Sequence, residues 1–292
     1  MGGVSGKVVF ITGGARGVGA DVARRLRRKN ARLVITDIDA EPLADLAAEL
    51  GADQVLTAVA DVRDLDAMQD VADRAVERFG GIDVVVANAG IATYGSVLQV
   101  DPEAFKRLLD INILGVFHTV RATLPAVIDR RGYVLIVSSF AAYSAAPGLG
   151  AYHASKAGIE HFANALRLEV AHRGVDVGSA HMSWIDTPMV QDAKSDMRAF
   201  GELLAKLPGP LGGTTGVAEC GEAFVSGIER RKRRINVPRW VGAFRWLRPL
   251  LSTPLGERPI RAVVPEILPR MDAEVAALGR STTARSEKLE GR

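Results

Sequence analysis

The sequence predicts an α/β protein built on one doubly wound parallel sheet with helices on both faces, followed by a C-terminal extension. Three observations predict it. From Lys7 to about Ala180, short β-branched runs alternate with longer stretches at helical spacing, the pattern of successive βαβ units. The runs are nearly continuous in Val, Ile, Leu and Ala rather than alternating with polar residues, as expected when helices cover both faces of a sheet. The first run ends in a glycine-rich turn, Thr12-Gly13-Gly14-Ala15-Arg16-Gly17-Val18-Gly19, that opens directly into a helical stretch.

In chain order, Val8 to Ile11 is the first strand and Ala20 to Lys29 the first helix. Strands follow at Arg32 to Thr36 and Asp53 to Ala60, then a helix at Ala67 to Phe79. Further strands lie at Ile82 to Ala87, Gly132 to Ser138 and Val175 to Ala180. After Trp184 the regularity fades through the polar Asp186-Thr187-Pro188, and the Pro- and Gly-rich stretch from Leu207 to Gly213 interrupts any long helix. Residues 190–216 are therefore expected to form a mobile lid loop. A helix from about Thr215 to Arg230 and a strand near Ile235 to Val237 complete the sheet, giving a catalytic domain over residues 1–237. Residues 238–292 mix Trp, Arg and Pro and then turn polar, so a frayed C-terminus is expected.

A chain of 292 residues with 48% hydrophobic and 24% charged residues lies in the ordinary globular range. A net charge of +3 is far from the dense basic surface of a nucleic-acid binder. The lone Cys220 cannot form an internal disulfide and is assigned to helix packing. No metal-ligand spacing occurs, and His153, His161 and His172 are read as packing or surface residues. The apolar runs are too short or too broken to span a bilayer, and no apolar leader precedes the first strand, so a cytoplasmic address is expected.

The glycine-rich turn gathers backbone N–H groups at the positive end of a helix, where a pyrophosphate could sit. Asp37 ends the next strand, close to the roughly 20-residue offset at which an acidic residue binds the adenosine ribose hydroxyls. A carboxylate there repels the 2′-phosphate of NADP. Arg16 argues the other way, since a guanidinium in the loop could pair with that phosphate. NAD is the expected cofactor and NADP the alternative.

Thr12-Gly-x-x-x-Gly17-x-Gly19, Asn88-Ala89-Gly90 and Tyr152-x-x-x-Lys156 together resemble the classical short-chain dehydrogenase/reductase (SDR) family over about residues 5 to 237. The resemblance implies a Rossmann-type sheet and hydride transfer between a nicotinamide and an alcohol or ketone. It implies a cofactor site of Gly13, Arg16, Gly17, Val18, Gly19, Asp37, Asp61, Val62, Asn88, Ala89, Gly90, Tyr152, Lys156, Ile185 and Thr187. Within that set, Asp61 and Val62 match the adenine contact and Asn88 the brace of the central sheet. Ser139, 13 residues before Tyr152, matches the catalytic serine, and Asn112 the residue that sustains a proton relay by holding a water. One departure stands out: Met182-Ser183 replaces the family's Pro-Gly after the sixth strand, which bears on Ile185 and Thr187. The resemblance also implies a homodimer or homotetramer built on the helices around Asn112 and from Tyr152 to Leu168.

Alcohol oxidation removes a hydroxyl proton as hydride leaves, so a positioned acid/base is required. Tyr152 could serve if its pKa is lowered from about 10. Lys156, one helical turn on, carries the charge expected to lower it. Tyr94, Phe140, Tyr143, Trp184 and Met189 are candidates for an apolar substrate wall, suited to a steroid, terpenoid or lipid-like alcohol or ketone. Trp240, Phe244, Leu247 and Leu251, interleaved with Arg239, Arg245 and Arg248, read either as a helix over the active site or at a subunit interface, or as a peripheral helix on anionic lipid, with Pro249 as its interruption. The competing functions are a non-catalytic dinucleotide sensor and an epimerase or dehydratase that regenerates its cofactor. The complete set of Asn112, Ser139, Tyr152 and Lys156 weighs against the sensor.

Overall fold

The computed structural model describes residues 3–289. Its strands are β1 (Val8–Thr12), β2 (Arg32–Asp37), β3 (Val55–Val59), β4 (Val84–Ala87), β5 (Tyr133–Val137), β6 (Asp176–Met182), β7 (Trp184–Ile185), β8 (Thr214–Thr215) and β9 (Arg234–Val237). Seven of them form one sheet in the order β3-β2-β1-β4-β5-β6-β9, with every neighbouring pair parallel. The chain builds outward from β1 to β3, then returns to place β4 on the other side of β1. The carboxyl ends of β1 and β4 therefore flank the crevice in which open α/β sheets bind ligands.

The helices are α1 (Gly17–Arg28), α2 (Ala40–Leu50), α3 (Leu65–Phe79), α4 (Pro102–Leu109), α5 (Gly115–Asp129), α6 (Gly150–Val170), α7 (Pro188–Asp196), α8 (Arg198–Lys206), α9 (Val217–Glu229), α10 (Val241–Leu251), α11 (Pro254–Leu278) and α12 (Ala284–Leu289). The continuous apolar strands are explained by two cores. Val9 and Ile11 of β1 face one core with residues of α1, α2 and α9, while Val8 and Phe10 face the other with residues of α3, α5 and α6. Local signals set the helix ends: the Asp64 side chain accepts from Ala67 N–H at the start of α3, and Gly80, with φ of 78°, ends it. Asp101 caps α4 ahead of Pro102. Cys220 is buried in α9.

Five expectations are corrected. The third strand starts at Val55 because Ala52–Gln54 form a 3-10 turn. The expected lid loop over 190–216 contains α7 and α8. Pro188 opens α7, and Ala193, Met197, Phe200, Leu203 and Leu204 turn one face into a third core shared with Ile267, Met271 and Val275 of α11. Proline does not break the extension: Pro249 lies in the last turn of α10, and Pro259, Pro265 and Pro269 all lie on the exposed side of α11, where the carbonyls they leave unpaired can reach water. The polar C-terminus is docked as far as it is described, with Ser281, Thr282 and Thr283 buried and α12 following; the expected fraying at 290–292 lies outside the described residues. Finally, α4, a π-helical turn at Asp110–Leu114 and α5 make one continuous helix, long and apolar enough by composition to cross a membrane, with a mean hydropathy of 1.4 over its 18-residue apolar window. Half of that window is buried, and α5 packs on α3 and the sheet as a core helix.

Candidate active site

The glycine turn is locked to β4 by side chains. Asn88 Nδ2 donates to the Thr12 and Gly13 carbonyls at 3.0 and 2.9 Å, and Thr12 Oγ1 accepts from the N–H groups of Asn88 and Ala89 at 3.1 and 3.2 Å. Gly17 has φ of +53°, and a Cβ there would lie 3.3 Å from Thr187 Cγ2. Thr187 thus closes on the loop from the far wall, despite the Met182-Ser183 turn; there Ser183 N–H donates to the Val237 carbonyl at 2.8 Å. No side chain caps α1 and no acid sits in its first turn, leaving its positive end to an anionic ligand.

At the end of β2, Asp37 accepts from the N–H of Ala15 at 3.0 Å and of Asp39 at 3.1 Å. Burial pushes its carboxyl above the ordinary value, and those N–H groups oppose the shift. Arg16 turns onto Asp39, with Nη2 2.7 Å from Oδ2. Asp61 is pushed up by burial but held below the carboxylate range by hydrogen bonds from the Arg63 side chain and N–H. Val62 is buried beside it.

Tyr152 and Lys156 lie one turn apart on α6, with Lys156 Nζ 5.6 Å from the Tyr152 ring centre and donating to the Val137 carbonyl at 3.1 Å. Burial pushes the Lys156 ammonium down to about 8. The expectation that Lys156 lowers Tyr152 is not met in the protein alone: burial pushes the phenol up, and the neighbouring Ser139 hydroxyl pulls it back. Ser139 follows β5 and accepts from Ala141 N–H at 3.1 Å. Asn112 sits fully buried in the π-helical turn; its Oδ1 accepts from Ile91 N–H at 2.9 Å, and its Nδ2 donates to the Ile91 carbonyl at 3.0 Å and Ser155 Oγ at 3.1 Å. A Cβ on Gly90 would stand 3.1 Å from Asn112 Oδ1 and 3.4 Å from Lys156 Nζ, so this glycine gives both groups room on one side of the loop.

These groups line one cavity of about 860 Å³, with two exceptions among the predicted residues. Asn112 lies behind its wall. Gly19 also lies behind it, where a Cβ would be 2.4 Å from the Gly13 carbonyl; its role is close packing of helix on loop. All five expected wall residues, Tyr94, Phe140, Tyr143, Trp184 and Met189, line the cavity. Tyr94 and Trp184 both meet the Phe200 ring edge-on, at 5.3 and 5.5 Å, and Phe140 meets Trp240 and Phe244 at 5.6 and 5.0 Å. Tyr143 stacks on His181 at 4.5 Å. His153, read as packing, fastens the loop after Ser139: its Nε2 accepts from Ala146 N–H at 2.9 Å. Sequence reasoning missed Leu149, Leu211, Ile260, Val264, Arg107 and Arg285, which also line the cavity. Only the apolar character of α11 signalled the third and fourth of these.

A family model described as short chain dehydrogenase matches residues 7–198. A Mycobacterium tuberculosis protein described as an uncharacterized NAD-dependent oxidoreductase is 35% identical over 225 residues, covering 71% of this chain and 80% of that one. The (-)-trans-carveol dehydrogenase of Rhodococcus erythropolis is 33% identical over 207 residues, covering 65% and 74%. The crystal structure of a short chain dehydrogenase from Mycobacterium paratuberculosis bound to NAD superposes with a TM-score of 0.70 at 28% identity, covering 80% of this chain and 97% of that one.

Proposed function

Starting from the chain's membership of the short-chain dehydrogenase family and its oxidoreductase relatives, we propose that it interconverts a hydrophobic secondary alcohol and its ketone with NAD(H). One observation carries the reading: the glycine turn and Asp37 share a single cavity with Ser139, Tyr152, Lys156 and an aromatic wall. When bound, the dinucleotide supplies the nicotinamide carbon that takes or gives hydride. The α1 terminus and Thr187 hold its phosphates, Asp61 and Val62 its adenine end. NAD is favoured over NADP because Asp37 closes β2 and Arg16 is already held by Asp39, so a 2′-phosphate would meet two carboxylates and no uncommitted guanidinium of the turn.

During oxidation the Tyr152 phenolate takes the substrate hydroxyl proton, and during reduction the phenol returns it. Lys156, charged below about 8, stabilises the phenolate at one helical turn's distance. Ser139 orients the substrate oxygen, and Asn112 positions the 88–91 loop and supports the relay beside Lys156. The wall of Tyr94, Phe140, Tyr143, Trp184 and Met189 excludes water and favours a bulky apolar substrate; the carveol dehydrogenase relative supports a cyclic terpenoid alcohol.

The test is reduced-nicotinamide absorbance on mixing with hydrophobic secondary alcohols and NAD or NADP. The Tyr152→Phe variant is expected to lose about 10²–10⁴-fold in turnover while retaining NADH binding. Near-normal turnover in that variant would refute the assignment.

Two contact surfaces complete the reading. Exposed Leu114, Phe117 and Leu168 on the helices around Asn112 and α6 support a homo-oligomeric face, and a monomer in sedimentation equilibrium would overturn it. On α10, Phe244 packs inward on Phe140 while Trp246, Leu247 and Leu250 remain exposed beside Arg245 and Arg248, which supports contact with anionic lipid. Salt-sensitive co-sedimentation with anionic vesicles tests this, and equal pelleting of Trp246→Glu would sink it.

A further inference from the structure

The polar segment after α11 bridges the two walls of the cofactor cleft. Ser281 accepts from Tyr94 N–H through its carbonyl at 2.8 Å and from Asp101 N–H through its hydroxyl at 2.9 Å, fixing the segment to the loop after β4. Three ion pairs then fasten it across the cleft. Arg280 meets Asp196 at 3.0 Å and Arg285 meets Asp192 at 2.7 Å, both on α7, the wall that carries Thr187 at its start. Glu287 meets Arg107 at 2.7 Å on α4, the opposite wall.

This segment is part of the cavity surface. Thr283, Arg285, Ser286 and Leu289 line the cavity that also contains the glycine turn and Asp37. Arg285 lines this cavity together with Arg16 and Asp37, and its charge interacts with that of Asp39, the partner of Arg16. Arg107 is only 7% exposed and lines the same cavity, yet its Nε and Nη1 are buried without a hydrogen-bond partner. A buried guanidinium with two idle donors is costly unless a ligand acceptor completes it.

We propose that residues 280–289 are a strap that closes over the bound dinucleotide, so that cofactor exchanges only when the strap lifts from α7 and α4, and that Arg107 and Arg285 are its charged contacts to the cofactor. The proposal rests on the cofactor reading above and adds a property that reading does not contain: release of NADH is governed by the three tail ion pairs. Removing one member of a buried pair acts mainly on the off-rate. Because the Arg280–Asp196 and Arg285–Asp192 pairs, unlike Arg107–Glu287, are partly solvent-exposed, salt should speed release as well.

The experiment is stopped-flow release of NADH from the full chain, followed by its fluorescence during displacement with excess NAD. The comparison proteins are a chain truncated after Gly279, Glu287→Gln, and the double variant Asp192→Asn/Glu287→Gln. Truncation is expected to speed release about tenfold or more, and Glu287→Gln about threefold or more. If the truncated chain does not fold, the double variant takes its place, with the same expected tenfold change. Release within twofold of the parent rate in the folded variants overturns the strap while leaving the cofactor reading intact. Absence of NADH binding to the full chain overturns the cofactor reading, and the strap falls with it.

Discussion

Lys156 is held at a cost in stability, and the Lys156→Met variant measures it. Lys156 is 4% exposed, and burial is what depresses the pKa of its ammonium, from the ordinary 10.5 to about 8. That gap corresponds to about 3 kcal/mol of unfavourable burial of the charged form. Replacement by Met retains an unbranched side chain out to the ε carbon and removes the charge. It also removes the 3.1 Å bond to the Val137 carbonyl, which offsets about 1 kcal/mol of the gain. At pH 7 the variant should therefore be more stable than the parent by about 2 kcal/mol, with turnover abolished. The pH dependence fixes the cause. Below about 8 the lysine is protonated in both folded and unfolded chains and the whole cost is present. Between about 8 and 10.5 the unfolded chain binds the extra proton, so the parent gains stability relative to the variant as pH rises. Urea unfolding of both proteins across that range measures the difference directly. A variant less stable than the parent at pH 7, or a stability gap indifferent to pH, would refute the reasoning.

Two further outcomes follow from buried charge. His181 is fully buried, with its ring between the Ser139 carbonyl and the Ser179 hydroxyl, and burial pushes its pKa down to about 4. Its contribution to stability is present above the ordinary 6.5 and lost as pH falls toward 4, by about 3 kcal/mol; urea unfolding should show this slope in the parent and lose it in His181→Gln, and parallel slopes would count against it. Asp37→Asn keeps an acceptor for Ala15 N–H but removes the charge at the end of β2, so the ratio of NAD to NADP affinity, read by fluorescence titration, should fall about tenfold, equivalent to about 1.4 kcal/mol; an unchanged ratio would remove Asp37 as the selector.

The sheet was legible because burial on both faces leaves the same mark on β1, β4 and β5: every residue is apolar or small enough to enter a core. The candidate catalytic groups were legible because Ser139, Tyr152 and Lys156 lie close in sequence, after a strand end and on one helix. Other features depended on contacts the sequence does not advertise. The face of α7 and α8 was masked by nearby Pro and Gly, although Ala193, Met197, Phe200 and Leu204 recur at helical spacing. The C-terminal segment was read as frayed from its polarity. Its partners are distant: Arg280 and Asp196 are separated by 84 residues, Arg285 and Asp192 by 93, and Glu287 and Arg107 by 180. The π-helical turn that seats Asn112 has no compositional sign. The phenol's upward displacement follows from burial, which the Tyr-x-x-x-Lys spacing alone does not report.

The third core, formed by Phe200, Leu203, Leu204, Ile267, Met271 and their neighbours, shares no residue with the two cores that flank the sheet. Damage is therefore compartmentalised. A void opened at Phe200 or Met271 slackens the aromatic wall through Tyr94 and Trp184 and reaches Tyr152, which packs on the same core, while the strands that present the glycine turn and Ser139 keep their packing. The same partition lets α7, α8 and α11 repack with little demand on the strands beneath them.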